Sequence, residues 1–335
     1  MTDKITTREF WIKEPGTGVL REGTLSPPAD GEVRVRALYS AVSRGTESLV
    51  FRGEVPESQW KTMRCPFQEG EFPGPVKYGY MSVGRVEEGV GKDAERLVGR
   101  VVFCLHPHQD RYVVPVSSVV PVPETVPAER AVVAANMETA VNAVWDGRPR
   151  LGDRVVVVGG GTVGLLIAWL TTKMPGTRVT VVDPHGGRRE SAEHLGLDFA
   201  VGPDPEWKAD LVVHASGNPE GARDALTVAG EEATVLEVSW FGDREVRLPL
   251  GEDFHARRLT LRGSQVSRIP AEQTPRWDHR RRMALALRLL EDPVLDVLFT
   301  GESPFEALPS VMERLATEGE DTLCHRIRYP RPGAG

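Results

Sequence analysis

Val155-Val156-Val157-Val158-Gly159-Gly160-Gly161-Thr162-Val163-Gly164-Leu165-Leu166 is the stretch that decides the fold. Four consecutive valines after Arg154 make a strand with no polar face, the kind buried on both sides of a parallel sheet. The glycines then follow a G-x-G-x-x-G spacing where strand gives way to helix. Gly159 permits the tight turn, Gly161 lets a pyrophosphate approach the backbone, and Gly164 lets the helix pack on the strand. Thr162 and Val163 open that helix, whose free N–H groups and positive dipole end suit phosphate. The next strand, Arg178-Val-Thr-Val-Val, ends at Asp183, 19 residues beyond Gly164. A carboxylate there accepts from the adenosine ribose hydroxyls and repels a 2′-phosphate, which favours NAD(H) over NADP(H). Arg188 and Arg189 are near enough in sequence to cover such a phosphate. The plainer expectation is two solvated arginines on the following helix.

The rhythm continues outward. A helix is expected over 131–145 and others near 162–173 and 187–195, with further strands at Asp210-Leu-Val-Val-His and Thr234-Val-Leu-Glu-Val. Strand and helix in alternation call for an α/β, doubly wound parallel sheet from about 129 to 263. His214-Ala215-Ser216-Gly217 follows a buried strand at the sheet edge that would receive the cofactor; a plain loop is the alternative. Residues 1 to about 124 differ: short β-branched runs such as Glu32-Val-Arg-Val-Arg and Ser82-Val-Gly-Arg-Val, punctuated by Gly and Pro, suggest a β-barrel or partly open sheet. Pro121-Val-Pro-Glu-Thr-Val-Pro127 reads as a stiff connector. After 264 come an amphipathic helix over 280–290, another near 310–316, a last strand from Cys324, and a loose tail from Pro330.

Composition bounds the function. The chain has 335 residues, 41 basic and 48 acidic side chains, and a formal charge of −7. That balance argues against nucleic acid or an anionic membrane surface as partner. Hydrophobic residues at 40% supply two cores, and no apolar run reaches the roughly 18 residues of a membrane span. Cys65, Cys104 and Cys324 are too few for a disulfide framework. They read as reduced thiols. No leader pattern is seen at Met1-Thr-Asp-Lys-Ile, so the cytoplasm is expected.

This arrangement resembles the medium-chain dehydrogenase/reductase family, whose members join a GroES-like β-barrel to a Rossmann domain. The resemblance implies a barrel domain from 1–128 and 264–335, a cofactor domain from 129–263, and a homodimer. In zinc alcohol dehydrogenases of that family the barrel carries Cys-Gly-Thr-Asp and Gly-His-Glu-x-x-Gly motifs. Here those places read Arg44-Gly45-Thr46-Glu47 and Gly79-Tyr80-Met81-Ser82-Val83-Gly84, and the third ligand falls at Ala134 or Ala135. Arginine keeps its proton and alanine has no donor atom, so zinc is not expected. The same two motifs, with Arg85-Val86 following, resemble the bacteriochlorophyllide dehydrogenase subgroup more closely. The stretch 51–78 departs from that type, so its substrate is not carried over.

Without a metal, hydrogen-bond donors must steady the oxyanion and handle one proton. Thr46 matches the family's proton-relaying hydroxyl, and Tyr80 and Arg44 occupy former ligand positions. Each has a plainer alternative: Thr46 as a turn residue, Tyr80 as core, Arg44 paired with Glu47 or with a cofactor phosphate. Glu47 reads as a partner of this machinery rather than its base. His106 and His108 suit proton relay near neutral pH, or else sit in a surface turn. Thr139, Ser216 and Trp240 complete the expected cofactor set with Arg188. Arg280-Arg281-Arg282 and Arg257-Arg258 read as a solvated face or junction pairs. The leading expectation is an NAD(H)-dependent, zinc-independent oxidoreductase that interconverts a secondary alcohol and a ketone, both small molecules, in a biosynthetic pathway. Reduction of an activated C=C bond and dinucleotide binding without turnover are the alternatives.

Overall fold

The computed structural model of the chain describes residues 5–317 and 322–330. The expected loose tail beyond Pro330 and the residues before Ile5 lie outside that range. Two compact units result: residues 1–135 with 283–292 and 299–335, and residues 136–282 with 293–298.

The second unit is built on six parallel strands. Their order is Asp198–Ala200, Arg178–Val182, Arg154–Val158, Ala209–His214, Ala229–Glu237 and Thr260–Gly263. Val155 sits between Val179 and Leu211, so the valine run is central, as its lack of a polar face requires. Val156, Val158, Val212 and Val235 pack with Ala225 and Leu226 of the helix Pro219–Val228. The strand order reverses between Arg154–Val158 and Ala209–His214. Outside the carboxyl ends of that pair lies the crevice in which such sheets bind ligands.

Three differences from the sequence reading have local causes. The helix expected over 131–145 is two pieces, Ala128–Ala131 and Ala134–Gly147. The helix near 187 begins with a tight turn at Gly186–Arg188 and is regular over Arg189–His194. Residues 264–282 stay with the parallel-sheet unit rather than the β unit. Ser264 Oγ donates to Asp146, and the buried Arg282 bonds Glu138 at 3.1 Å, Asn142, and the Val266 carbonyl at 2.6 Å. Arg282 is 1% exposed, so the expected solvated basic face does not include it.

The first unit is built mainly of β-strands. A seven-stranded sheet runs Phe299–Pro304, Cys324–Arg328, Glu32–Val42, Ser82–Gly89, Val101–Cys104 and Val119–Pro121, with Arg111–Pro115 also paired to Glu32–Val42. A second sheet holds the hairpin Ile5–Glu14 and Thr17–Leu25. Along the long strand Val33, Val35 and Ala37 are buried, Val33 and Val35 packing with Val86, Val102, Tyr112 and Val114, while Arg34 and Arg36 alternate outward. That strand runs straight into Ser43 and the helix Arg44–Arg52. The helix start, with Thr46 and Glu47, is thereby fixed at the end of the sheet. Among the described residues no helix is long and apolar enough to cross a membrane.

Candidate functional site

The parallel-sheet unit places the fingerprint residues as a phosphate cradle. Gly159 has φ 113°, and a side chain there would run into the backbone of Ser216; one on Gly164 would overlap the Gly159 carbonyl. Gly161, by contrast, faces open space and caps the helix Thr162–Thr172. Thr162 and Val163 are half-buried in its first turn, and the Gly159 N–H is tied to the Val182 carbonyl at 2.8 Å. The residues fit a dinucleotide pyrophosphate.

Asp183 departs from its expected freedom. Its Oδ2 accepts from the Gly160 N–H at 2.7 Å and from Arg188 at 2.6 Å, and its Oδ1 accepts from the His185 N–H at 2.9 Å. Asp183 and Arg188 are 3% and 7% exposed, so Arg188 is a buried counter-ion and not a solvated arginine. The pairing neutralises the carboxylate that was to repel a 2′-phosphate. Arg189 does lie outward, over the Phe199 ring. Ser216 is exposed and bonds His214, while Trp240 and Thr139 are half-buried. The ring stacked on His214 is Phe241, at 5.8 Å, which sequence reasoning missed.

In the β unit the structure joins Thr46 and Tyr80. The Tyr80 hydroxyl lies near enough to the Ser43 and Thr46 side chains to feel them, and burial pushes its pKa above the ordinary phenol value. It therefore remains a donor at neutral pH. Ser43 is the residue before the helix, and its backbone N–H donates to Glu47 Oε1 at 2.8 Å. Glu47 itself is buried and meets His108, with Oε2 2.8 Å from Nε2. The Arg44 guanidinium donates to the Thr322 carbonyl at 3.3 Å.

His108 continues the chain inward. Its Nδ1 lies 2.7 Å from Ser40 Oγ, which lies 3.0 Å from the Tyr329 hydroxyl, and Tyr329 also bonds the Gln109 backbone. One proton assignment satisfies every member. The Gln109 N–H donates to Tyr329, Tyr329 to Ser40, Ser40 to Nδ1, and Nε2–H to the Glu47 carboxylate. Ser40 and Tyr329 carried no motif, and their contact spans 289 residues of chain.

His106 is a correction to the relay expectation. Its ring lies between Phe67 at 5.4 Å and Tyr112 at 3.8 Å, and Nδ1 bonds the Pro107 carbonyl. Burial drives its pKa down to about 3, so it stays neutral near pH 7. Neither His106 nor His108 belongs to a surface turn. The three cysteines are free and buried, and burial pushes their pKa values up to about 12.

The residues at the family's zinc positions do not fit the metal. Arg44 offers a cation, Tyr80 a protonated phenol, and Ala134 and Ala135 no ligand atom. Among the described residues no group of three His, Cys, Asp or Glu side chains is placed to hold a metal ion.

No protein-family model matches the chain. It is similar to D-guloside 3-dehydrogenase of Escherichia coli (strain K12), 24% identical over 325 residues, covering 89% of this chain and 90% of that protein. Its structure is similar to L-idonate 5-dehydrogenase from Escherichia coli, with a TM-score of 0.80, 16% identity, and 97% and 99% of the two chains covered. An alcohol dehydrogenase from E. coli CFT073, complexed with NADH, gives a TM-score of 0.77 at 18% identity over 96% of this chain and 99% of that one. Over nearly its whole length the chain thus shares the fold of these dehydrogenases, a GroES-like β unit and a Rossmann unit.

Proposed function

We propose that the chain is an NAD(H)-linked dehydrogenase that interconverts a secondary alcohol and a ketone on a polyhydroxylated substrate, without zinc. The observation that carries this reading is the proximity of Thr46 and Tyr80, two hydroxyl donors standing where the family resemblance puts a proton relay and a metal ligand. The nearly full-length relative acts, by its name, on a guloside.

A bound nicotinamide supplies or accepts the hydride. The chain's own residues do the rest. The backbone at Gly159, Gly161, Thr162, Val163 and Gly164 holds the pyrophosphate, and Asp183 with Arg188 borders the adenosine ribose. Thr139, Ser216 and Trp240 complete the cofactor set. In the β unit Thr46 and Tyr80 donate to the substrate oxygen as negative charge grows on it, and Thr46 passes the alcohol proton. Arg44 adds a positive charge at the same helix start. Glu47 and His108 position that start, through the Ser43 N–H, rather than touch the substrate. Because Arg188 already neutralises Asp183, the preference for NAD(H) over NADP(H) is modest.

We place the enzyme in the cytoplasm, where its buried thiols stay reduced. It forms a homodimer through the edge strand Thr260–Gly263, where Leu261 is 42% exposed. The test is oxidation of a panel of glycosides, sugar acids and cyclitols with NAD⁺ and NADP⁺, with elemental analysis of the same preparation. About one zinc per chain with loss of activity on chelation would overturn the metal-free reading. Tight NADH binding without turnover of any polyol would leave a binding protein.

A further inference from the structure

At the carboxyl edge of the parallel sheet three side chains meet in an order that dinucleotide binding does not require. His214 ends one strand and Glu237 ends its neighbour, and the parallel register sets the two side by side. His214 Nδ1 lies 2.7 Å and 2.9 Å from the two carboxylate oxygens, and Nε2 lies 2.6 Å from Ser216 Oγ. The imidazole is fully buried, Glu237 is partly exposed, and Ser216 is exposed. The Ser239 N–H holds Glu237 Oε1 at 2.8 Å, and the Phe241 ring covers the imidazole. A side chain on Gly221 would fall 2.4 Å from Ser216 Oγ, so glycine there lets the helix Pro219–Val228 close against the hydroxyl.

The protons follow from the partners. A carboxylate only accepts, so Nδ1 carries the ring proton and Nε2 is left as acceptor. Ser216 Oγ–H then donates to Nε2, while its oxygen accepts the Asn218 N–H at 3.1 Å. Nucleophile, base and orienting carboxylate stand in sequence, the arrangement that activates a hydroxyl on unrelated folds.

We propose that Ser216 is an activated nucleophile that is acylated by small activated esters. Its Oγ bonds to the ester carbonyl carbon and the bond from that carbon to the leaving oxygen breaks. The Oγ proton passes to His214 Nε2 and from there to the leaving oxygen, so nothing is oxidised or reduced. A side chain built on Gly159 would fall 2.6 Å from the Ser216 nitrogen, so the acylated residue lies against the fingerprint turn. A bound dinucleotide and an acyl donor then compete for one edge. That last step rests on the proposed cofactor site; the nucleophile does not.

The test uses the purified full-length protein and p-nitrophenyl acetate, reading nitrophenol release and mapping the acetylated residue by mass spectrometry. Expected are one fast-reacting site per chain, mapped to Ser216, no such site in Ser216→Ala, and acetylation slowed by at least about 100-fold in Glu237→Gln, because the carboxylate that holds the imidazole tautomer is lost. Thermal unfolding of both variants separates a folding defect from a chemical one. The proposal is overturned if Ser216 reacts no faster than other serines, or if a folded Glu237→Gln protein is acetylated at the parent rate. Saturating NADH is expected to slow the reaction. Unchanged acetylation under NADH would refute the competition and the cofactor's placement at this edge, while the site mapping decides the nucleophile separately.

Discussion

Each unit of the molecule holds a glutamate, a histidine and a serine in hydrogen-bonded series, and the two series differ in the exposure of their ends, which changes their chemistry. In the β unit Glu47, His108 and Ser40 are all buried, and the serine hydroxyl is bonded onward to Tyr329. In the parallel-sheet unit the histidine is equally buried, but the serine is exposed and ends the series. The first series has no hydroxyl to offer a reagent; it holds a carboxylate, and through it the start of the helix that carries Thr46. The second ends on a serine that is exposed. The same three groups are thus a brace in one place and a reactive site in the other. Access to the serine makes the difference.

Removing charge from each glutamate sharpens the contrast most. Glu47→Gln sets an amide N–H against one of two buried donors, and a buried donor left unsatisfied costs about 1–3 kcal/mol, toward the upper end where the lost acceptor was charged. Glu237 has a side chain 23% exposed, so water replaces the lost acceptor and Glu237→Gln should cost about 1 kcal/mol. Denaturant unfolding of the two variants measures both, and equal losses would erase the distinction between brace and reactive site.

Next comes the effect on turnover. Thr46→Val and Tyr80→Phe keep shape and delete a donor, which typically costs 100- to 1000-fold, or about 3–4 kcal/mol in the barrier. NADH affinity and melting temperature should move little. Turnover within about threefold of the parent in both would make the hydroxyls structural and return the proton to another group.

Acid stability follows from His106. Its folded pKa, near 3, lies below the unfolded value near 6.5, so the unfolded chain binds the extra proton between those limits. Stability is complete above pH 6.5 and falls as pH drops toward 3, by about 1.4 kcal/mol per pH unit from this residue. His106→Phe should flatten that part of the unfolding profile while leaving the His108 brace in place. An unchanged slope would show that the histidine is protonated in the native state.

The smallest effect is on cofactor choice. Arg188→Ala removes the cation that neutralises Asp183 and should weaken NADPH more than NADH, by about tenfold. Fluorescence titration with both cofactors checks it; a narrowed gap would mean that Asp183 does not face the ribose.

Local sequence determined the parallel sheet, the fingerprint turn and the β unit, because each rests on short-range physics. A four-valine strand has no polar face to expose, and a glycine with φ 113° admits no side chain. Thr46, Tyr80 and Glu47 were legible as one neighbourhood through their motifs. What they bond was not. Glu47 meets His108 across 61 residues, Ser40 meets Tyr329 across 289, and Asp183 turns its carboxylate to Gly160 and Arg188 rather than outward. Burial was likewise out of reach of the sequence, and it turns His106 from a relay into a neutral stacked ring. Which hydroxyls, imidazoles and carboxylates share protons depends on strand register and on closure of the sheets, and only the tertiary structure brings those distant segments within 3 Å.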